Sequence, residues 1–189
     1  MLSNGCALIA PHVEPFSFES VAIVFPSQEA RFTPLRSDQQ ERYKGGFVMV
    51  RVQSKTNLAE LADERQLNLW VKAWFCDETE GLFLWTTGEL RYQDADIGHI
   101  YAPKNERSHV RALLQQVPVD ALKVYHFYID ALAYLTDESF ERHAPYNLKN
   151  APRDICVVIG GGGYAAKGFT SNVIIVPKEK IQSAFQAGQ

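Results

Sequence analysis

The apolar residues of this chain arrive in short runs, each cut off by proline, glycine or a Thr-Gly pair. Residues 20–25 (SVAIVF) stop at Pro26, and residues 47–52 (FVMVRV) follow Gly45-Gly46. Residues 82–85 end at Thr86-Thr87-Gly88, and residues 97–101 end near Pro103. Residues 154–159 (DICVVI) run directly into Gly160, Gly161, Gly162 and Gly163. Runs of this length, rich in Val, Ile and aromatics and closed by turn residues, read as buried strands. None approaches the ~20 apolar residues of a membrane-spanning helix.

Helical signals lie between the strands. Asn57-Leu58-Ala59-Glu60 fits a capping box, with a side-chain acceptor at the cap and a carboxylate three residues on. Leu58, Leu61, Ala62, Arg65, Leu69 and Lys72 then share one helical face, with Trp70, Ala73 and Trp74 extending its apolar side. This pattern predicts one helix from 58 through 74, closed by an acidic turn at 77–81. A second helix is expected over 106–116, capped by Asn105 and stopped by Pro118. A short one is expected over 137–142, and a last one from Pro177. The aromatics of 122–129 favour a strand, while their apolar continuation through 131–135 leaves a buried helix open. Residues 172–176 read as a strand. Residues 26–46 read as a long loop, and the first fifteen residues as an arm or edge strand. Strands and helices mix without strict alternation. The expected class is therefore α+β (mixed α/β), one domain over 1–189 with a central mixed sheet flanked by helices.

At 46% hydrophobic and 12% aromatic, the chain is too apolar to be disordered. Its formal charge of −3 excludes a uniformly basic nucleic-acid binder. The charges are not evenly spread, however: Lys104, Arg107 and Arg111 gather with His109, while acids collect at 77–80. Cys6, Cys76 and Cys156 are far apart, odd in number and without zinc spacing, so free buried thiols are expected. The opening residues have no basic stretch before an apolar one. A cytoplasmic location is expected, peripheral to the inner membrane only through a partner.

Three groups of residues carry chemistry in principle. The glycine run with Lys167 reads as a flexible loop whose N–H groups can approach an anion closely. The start of the second helix gathers Asn105, Glu106, Arg107, Ser108, His109 and Arg111. There, free N–H groups, guanidinium and hydroxyl suit a phosphate, while Glu106 and His109 suit acid–base or metal-assisted work. Asp94 and Asp96, with His99, make a candidate divalent-metal set. His12 and His143 read as surface residues and His126 as a core histidine. Trp70, Trp74 and Trp85 read as core; exposed, Trp74, Phe75 and the acidic turn would form a protein-binding patch.

The stretch Asn105-Glu106-Arg107-Ser108-His109-Val110-Arg111-Ala112-Leu113-Leu114, followed by Val119-Asp120-Ala121-Leu122-Lys123-Val124, resembles the phosphate-binding element of the ParB/sulfiredoxin-like fold. Plasmid fertility-inhibition (oncogenic suppression) factors belong to that group. Their element is Asn/Asp-Gly-Arg-His-Arg, an apolar helix and a strand; Glu106 stands here at the glycine. Gly161-Gly162-Gly163-Tyr164-Ala165-Ala166 is also similar to the sulfiredoxin glycine loop, without its Cys, His and Arg. The resemblance implies a mobile-element accessory protein that inhibits conjugative or type IV DNA transfer. It would bind ATP with Mg, act on DNA as an ATPase or nuclease, and meet a protein–DNA transfer complex or secretion-system protein. Arg107 and Arg111 would hold phosphate, and Glu106 or His109 would assist hydrolysis. Two other classes stand beside it: a non-enzymatic, immunity-like inhibitor that occludes a partner protein, and an RNA binder using the glycine loop.

Overall fold

The computed structural model describes residues 10–25, 45–78, 81–87, 90–93, 95–98, 104–163 and 167–188, with the backbone alone for 104–108. The predicted loop at 26–46 falls almost wholly outside these residues, as do Cys6 and the first nine positions.

Eleven strands and three helices are described. Strand β1 (Ser17–Val24) pairs antiparallel with β2 (Phe47–Ser54). Strand β2 pairs antiparallel with β6 (Lys123–Asp130) in full register, so Val48 faces Ile129, Val50 faces Phe127 and Val52 faces Tyr125. All six are buried, and directly opposed β-branched and aromatic pairs are what hold a sheet together. The short strands β4 (Arg91–Tyr92) and β5 (Ala95–Asp96) extend this sheet beyond β6. The second sheet centres on β9 (Ile155–Gly162). Its whole length pairs with β3 (Asn68–Phe75) on one side, and with β10 (Phe169–Thr170) and β11 (Ile174–Val176) on the other. A hairpin of β7 (Leu132–Thr136) and β8 (Arg142–Asn147) continues from β6.

The fold is therefore mainly β, and every strand pairing among the described residues is antiparallel. This corrects the expected α+β arrangement of a mixed sheet flanked by helices. The largest single reason lies at 58–74. The capping box forms as expected: Asn57 Oδ1 accepts from the Glu60 N–H at 3.2 Å, and Asn57 Nδ2 donates to Glu60 Oε2 at 3.0 Å. The helix α1 (Leu58–Arg65) ends at once, on Gln66 in the left-handed conformation (φ 52°). From Asn68 the burial alternates, with Leu69, Val71, Ala73 and Phe75 inward and Trp70, Lys72 and Trp74 half-exposed. A period of two won over the helical period because those four residues pack against Ile155, Val157 and Ile159. The expected helix over 137–142 is instead the turn between β7 and β8, with Arg142 already in β8. The ambiguous 122–129 is strand β6. The helices α2 (Lys104–Gln115) and α3 (Lys178–Ala187) complete the set.

Two seams join the sheets. Along one, residues 82–87 bond to both: the Leu84 N–H donates to Ala73 O at 2.8 Å, and Asp130 N–H donates to Trp85 O at 3.0 Å. Phe83 and Thr136 exchange both backbone bonds. Along the other, the Asn172 amide accepts from Phe16 N–H at 2.8 Å and donates to Phe16 O at 2.9 Å. Near the first seam, Cys76 and Cys156 form a disulfide that ties β3 to β9 across 80 positions. The expectation of free thiols is corrected at these two residues. The residues meet because Cys156 pairs across from Trp74, two positions from Cys76. Arg153 lies over the Phe75 ring at 4.1 Å and pairs with Asp77 and Glu78 of the acidic turn.

Tyr125 anchors α1 to the first sheet. Its buried hydroxyl accepts from Leu58 N–H at 3.1 Å and donates to Thr56 O at 2.7 Å. Lys123 is 3% exposed, and its ammonium donates to the carbonyls of Lys55, Val119 and Ala121. Removing the Tyr125 hydroxyl strands two backbone groups. Tyr125→Phe is expected to lower the unfolding free energy by about 1–3 kcal/mol, read as a lower urea midpoint at unchanged slope.

Candidate functional site

Of the expected phosphate element, the helix α2 and the following strand β6 form, while residues 97–98 of its expected opening strand are not in a strand. Residues 99–103 lie outside the described residues, as do the side chains of Asn105, Glu106, Arg107 and Ser108. Helix α2 begins at Lys104, so Asn105 lies within it rather than capping it. His109 is exposed. The Arg111 guanidinium points to α1, where Nη1 donates to Asp63 Oδ2 at 2.8 Å. Asp94 and His99 are not described, and Asp96 Oδ1 accepts from Gly98 N–H at 2.7 Å. Among the described residues no three His, Cys, Asp or Glu gather as a metal site.

Most of the glycine run is strand rather than loop. Gly160, Gly161 and Gly162 belong to β9, with Gly160 and Gly161 flanked on both sides by paired strands. The absent side chains make room for rings. A Cβ at Gly160 would sit 2.1 Å from the Trp70 indole, and one at Gly161 would sit 2.6 Å from the Phe169 ring. At Gly163 it would meet the Gln66 carbonyl at 2.8 Å. Lys167 is exposed and separated from this strand by residues outside the description. Gly160 and Gly161 therefore form no part of an anion loop, because their backbone is committed to the sheet and aromatic rings fill the space beside them.

Trp70, seated on Gly160, is one wall of a cleft of about 510 Å³. Strand β3 turns Trp70 and Lys72 outward into it, opposite the buried Leu69 and Val71. The seam supplies Phe83 and Trp85, while Leu84 between them is buried. The β7–β8 turn supplies Asp137, Glu138 and Phe140. Phe140 is 72% exposed and sits at φ 62°, a conformation that a bulky side chain rarely adopts. Its ring meets the Trp85 ring edge-on at 6.4 Å. Asp137 holds the turn: its Oδ1 accepts from Ser139 N–H, the Ser139 hydroxyl and Glu141 N–H, and Phe140 N–H donates to Asp137 O. Lys72 Nζ donates to Glu138 Oε1 at 3.1 Å. Below Trp85, the Tyr146 hydroxyl accepts from its N–H at 3.1 Å; burial, with the Asp130 charge, pushes that phenol far above its ordinary value.

Reading the tryptophans as core missed this surface. Trp70 and Trp85 are half-buried, with one face on the sheet and the other on the cleft. The signal was present: strict alternation over 68–75 sets Trp70 and Lys72 on the face away from Leu69 and Val71. Trp74 is also half-buried and Phe75 is in the core, so Phe75 does not contribute to the alternative patch there. The surface reading of His12 and His143 holds: His12 pairs with Glu14 and His143 with Asp137. No family model, no curated protein and no solved structure matches the chain.

Gly160→Ala is expected to cost about 1–3 kcal/mol through overpacking against Trp70, and to shift tryptophan emission as that ring is displaced. The Ser139 hydroxyl, His143 and the backbone of Glu141 and Ser139 hold the Asp137 carboxyl below its ordinary 3.8. Its contribution is therefore full above that value and is lost as pH falls through the lower folded one. The Phe140 turn is expected to loosen only below about pH 4, seen as a tryptophan-emission change, whereas Asp137→Ala loosens it at neutral pH.

Proposed function

We propose that this chain is a non-enzymatic, inhibitor-like protein that works by occluding a partner protein through the aromatic cleft. The observation that carries the reading is Phe140, an exposed aromatic held in a strained turn over Trp85. A bulky residue in the left-handed region costs about 1–2 kcal/mol, and such outliers concentrate at binding sites. Rigid, half-exposed aromatics lining a concave surface are the residue type that dominates protein interfaces. A photo-crosslinker placed at position 140 is expected to give one defined adduct in the native host. Trp85→Ala should reduce that adduct by at least about tenfold while the purified protein keeps its circular dichroism. An adduct indifferent to Trp85→Ala sinks the reading.

A second reading starts from helix α2, followed by strand β6, at the positions where the resemblance sets a helix and its returning strand. It is the nucleotide- and DNA-directed action that the fertility-inhibition resemblance implies, with inhibition of conjugative transfer as its setting. Incubation with ATP, Mg²⁺ and labelled DNA tests it. Hydrolysis or cleavage that Arg107→Ala abolishes is the expected result, and no nucleotide binding removes the reading.

A further inference from the structure

The outer face of β3 places Lys72 between Trp70 and Trp74. Its ammonium stands 4.9 Å from the centre of the Phe83 ring and 5.8 Å from that of Trp70, with Glu138 on its other side at 3.1 Å. Two ring faces and a carboxylate around an ammonium form a box for an alkylammonium, and here the chain's own lysine occupies it. The occupant is loosely held. The Lys72 side chain is 43% exposed and Glu138 79%, and an exposed pair of this kind is worth about 0–1 kcal/mol. A four-carbon stem lets the ammonium swing aside without moving the strand.

The charge around the box has a sign. The cleft adjoins a hollow that shares Trp85 and Thr136 with it and is lined by Asp130, Tyr134 and Arg142. There Arg142 lies 5.5 Å over the Tyr134 ring, a second cation held on an aromatic. Within the cleft itself Asp137 and Glu138 outnumber Lys72. A polyanion is disfavoured on such a surface, and a cation is complementary to it.

We infer that the cleft recognises a lysine or arginine side chain of the occluded partner, and that Lys72 is an intramolecular stand-in which the partner's cation displaces. The inference rests on the partner-occlusion reading, and it names the chemistry of that partner's anchor. A built-in competitor weakens the apparent affinity by the fraction of time it fills the box, so emptying the box must strengthen binding.

The probe is n-butylammonium, the analogue of the lysine side chain, titrated against the full chain by tryptophan emission and by indole N–H chemical shifts. Lys72→Ala is expected to bind it about twofold to fivefold more tightly than the wild type. Lys72→Ser, as a second vacating variant, should do the same. Adding Glu138→Gln to either should return binding to the wild-type level. A short lysine-containing peptide should follow the same order and lose its binding on Nε-acetylation. Equal affinity of wild type and Lys72→Ala for n-butylammonium overturns the inference, as does equal binding of neutral n-butanol. Failure of these titrations with an intact Trp85-dependent adduct at position 140 removes the cation anchor alone. Loss of the adduct result as well removes the occlusion reading on which it rests.

Discussion

The structure depends on how the backbone of residues 82–87 satisfies its hydrogen bonds. A buried polar backbone group must find a partner, and this segment has a sheet on either side of it. Leu84 N–H reaches β3, while Phe83 and the Trp85 carbonyl reach the β6–β7 side. Once those bonds are made, side-chain direction follows from alternation. Leu84 drops into the core, and Phe83 and Trp85 stand on the outer face. The joint between the sheets and the floor of the cleft are thus one object. The site needs no separate scaffold, because the groups that close the core also aim the aromatics.

Around that joint, each wall of the cleft is pinned by a different force. Trp70 is fixed by volume, in the space that Gly160 leaves empty. Phe140 is fixed by the carboxylate of Asp137, which collects the donors of its own turn. The β3 end is held covalently through Cys76 and Cys156. Lys72 is the contrast, a long and half-exposed side chain with one exposed partner. Rigid rings around a movable cation describe a surface prepared for exchange, whereas the carbonyl-bound ammonium of Lys123 is of the buried, structural kind.

Much of the strand content was legible in the sequence, because buried strands such as 47–52 and 155–159 are short β-branched runs between turn residues. The Asn57 cap was legible too, since it depends on residues four positions apart at most. What was not legible arose where two periods coincide. Leu58, Leu61, Ala62, Leu69 and Lys72 fit a helical face, yet Leu69, Val71, Ala73 and Phe75 also fit a strand, and only the partner strand β9 decides between them. The glycines misled for a related reason. A missing side chain signals an anion loop or a place for a neighbour's ring, and Trp70 lies ninety positions upstream of Gly160. The charges of Arg111 and Lys72 were visible, but their engagement by Asp63 and Glu138 depends on tertiary packing. Phe140 carried no sequence signal of its own, since the strained turn that exposes it depends on Asp137 folding back over it.

The amide of Asn172 has a consequence for how the molecule meets copies of itself. A bare strand edge offers donors and acceptors in a row, and an incoming strand reads them as a template. At the start of β1 the first donor and acceptor, both on Phe16, are already taken by one side chain. Helix α3 buries Ile181 and Phe185 a little further along, and its Gly188 comes close to Ile23. An added strand would have to dislodge an amide that imitates a neighbouring backbone before it could form its first rung. Asn172 therefore occupies the first rung that edge-to-edge strand addition would use, at the place where it closes the core.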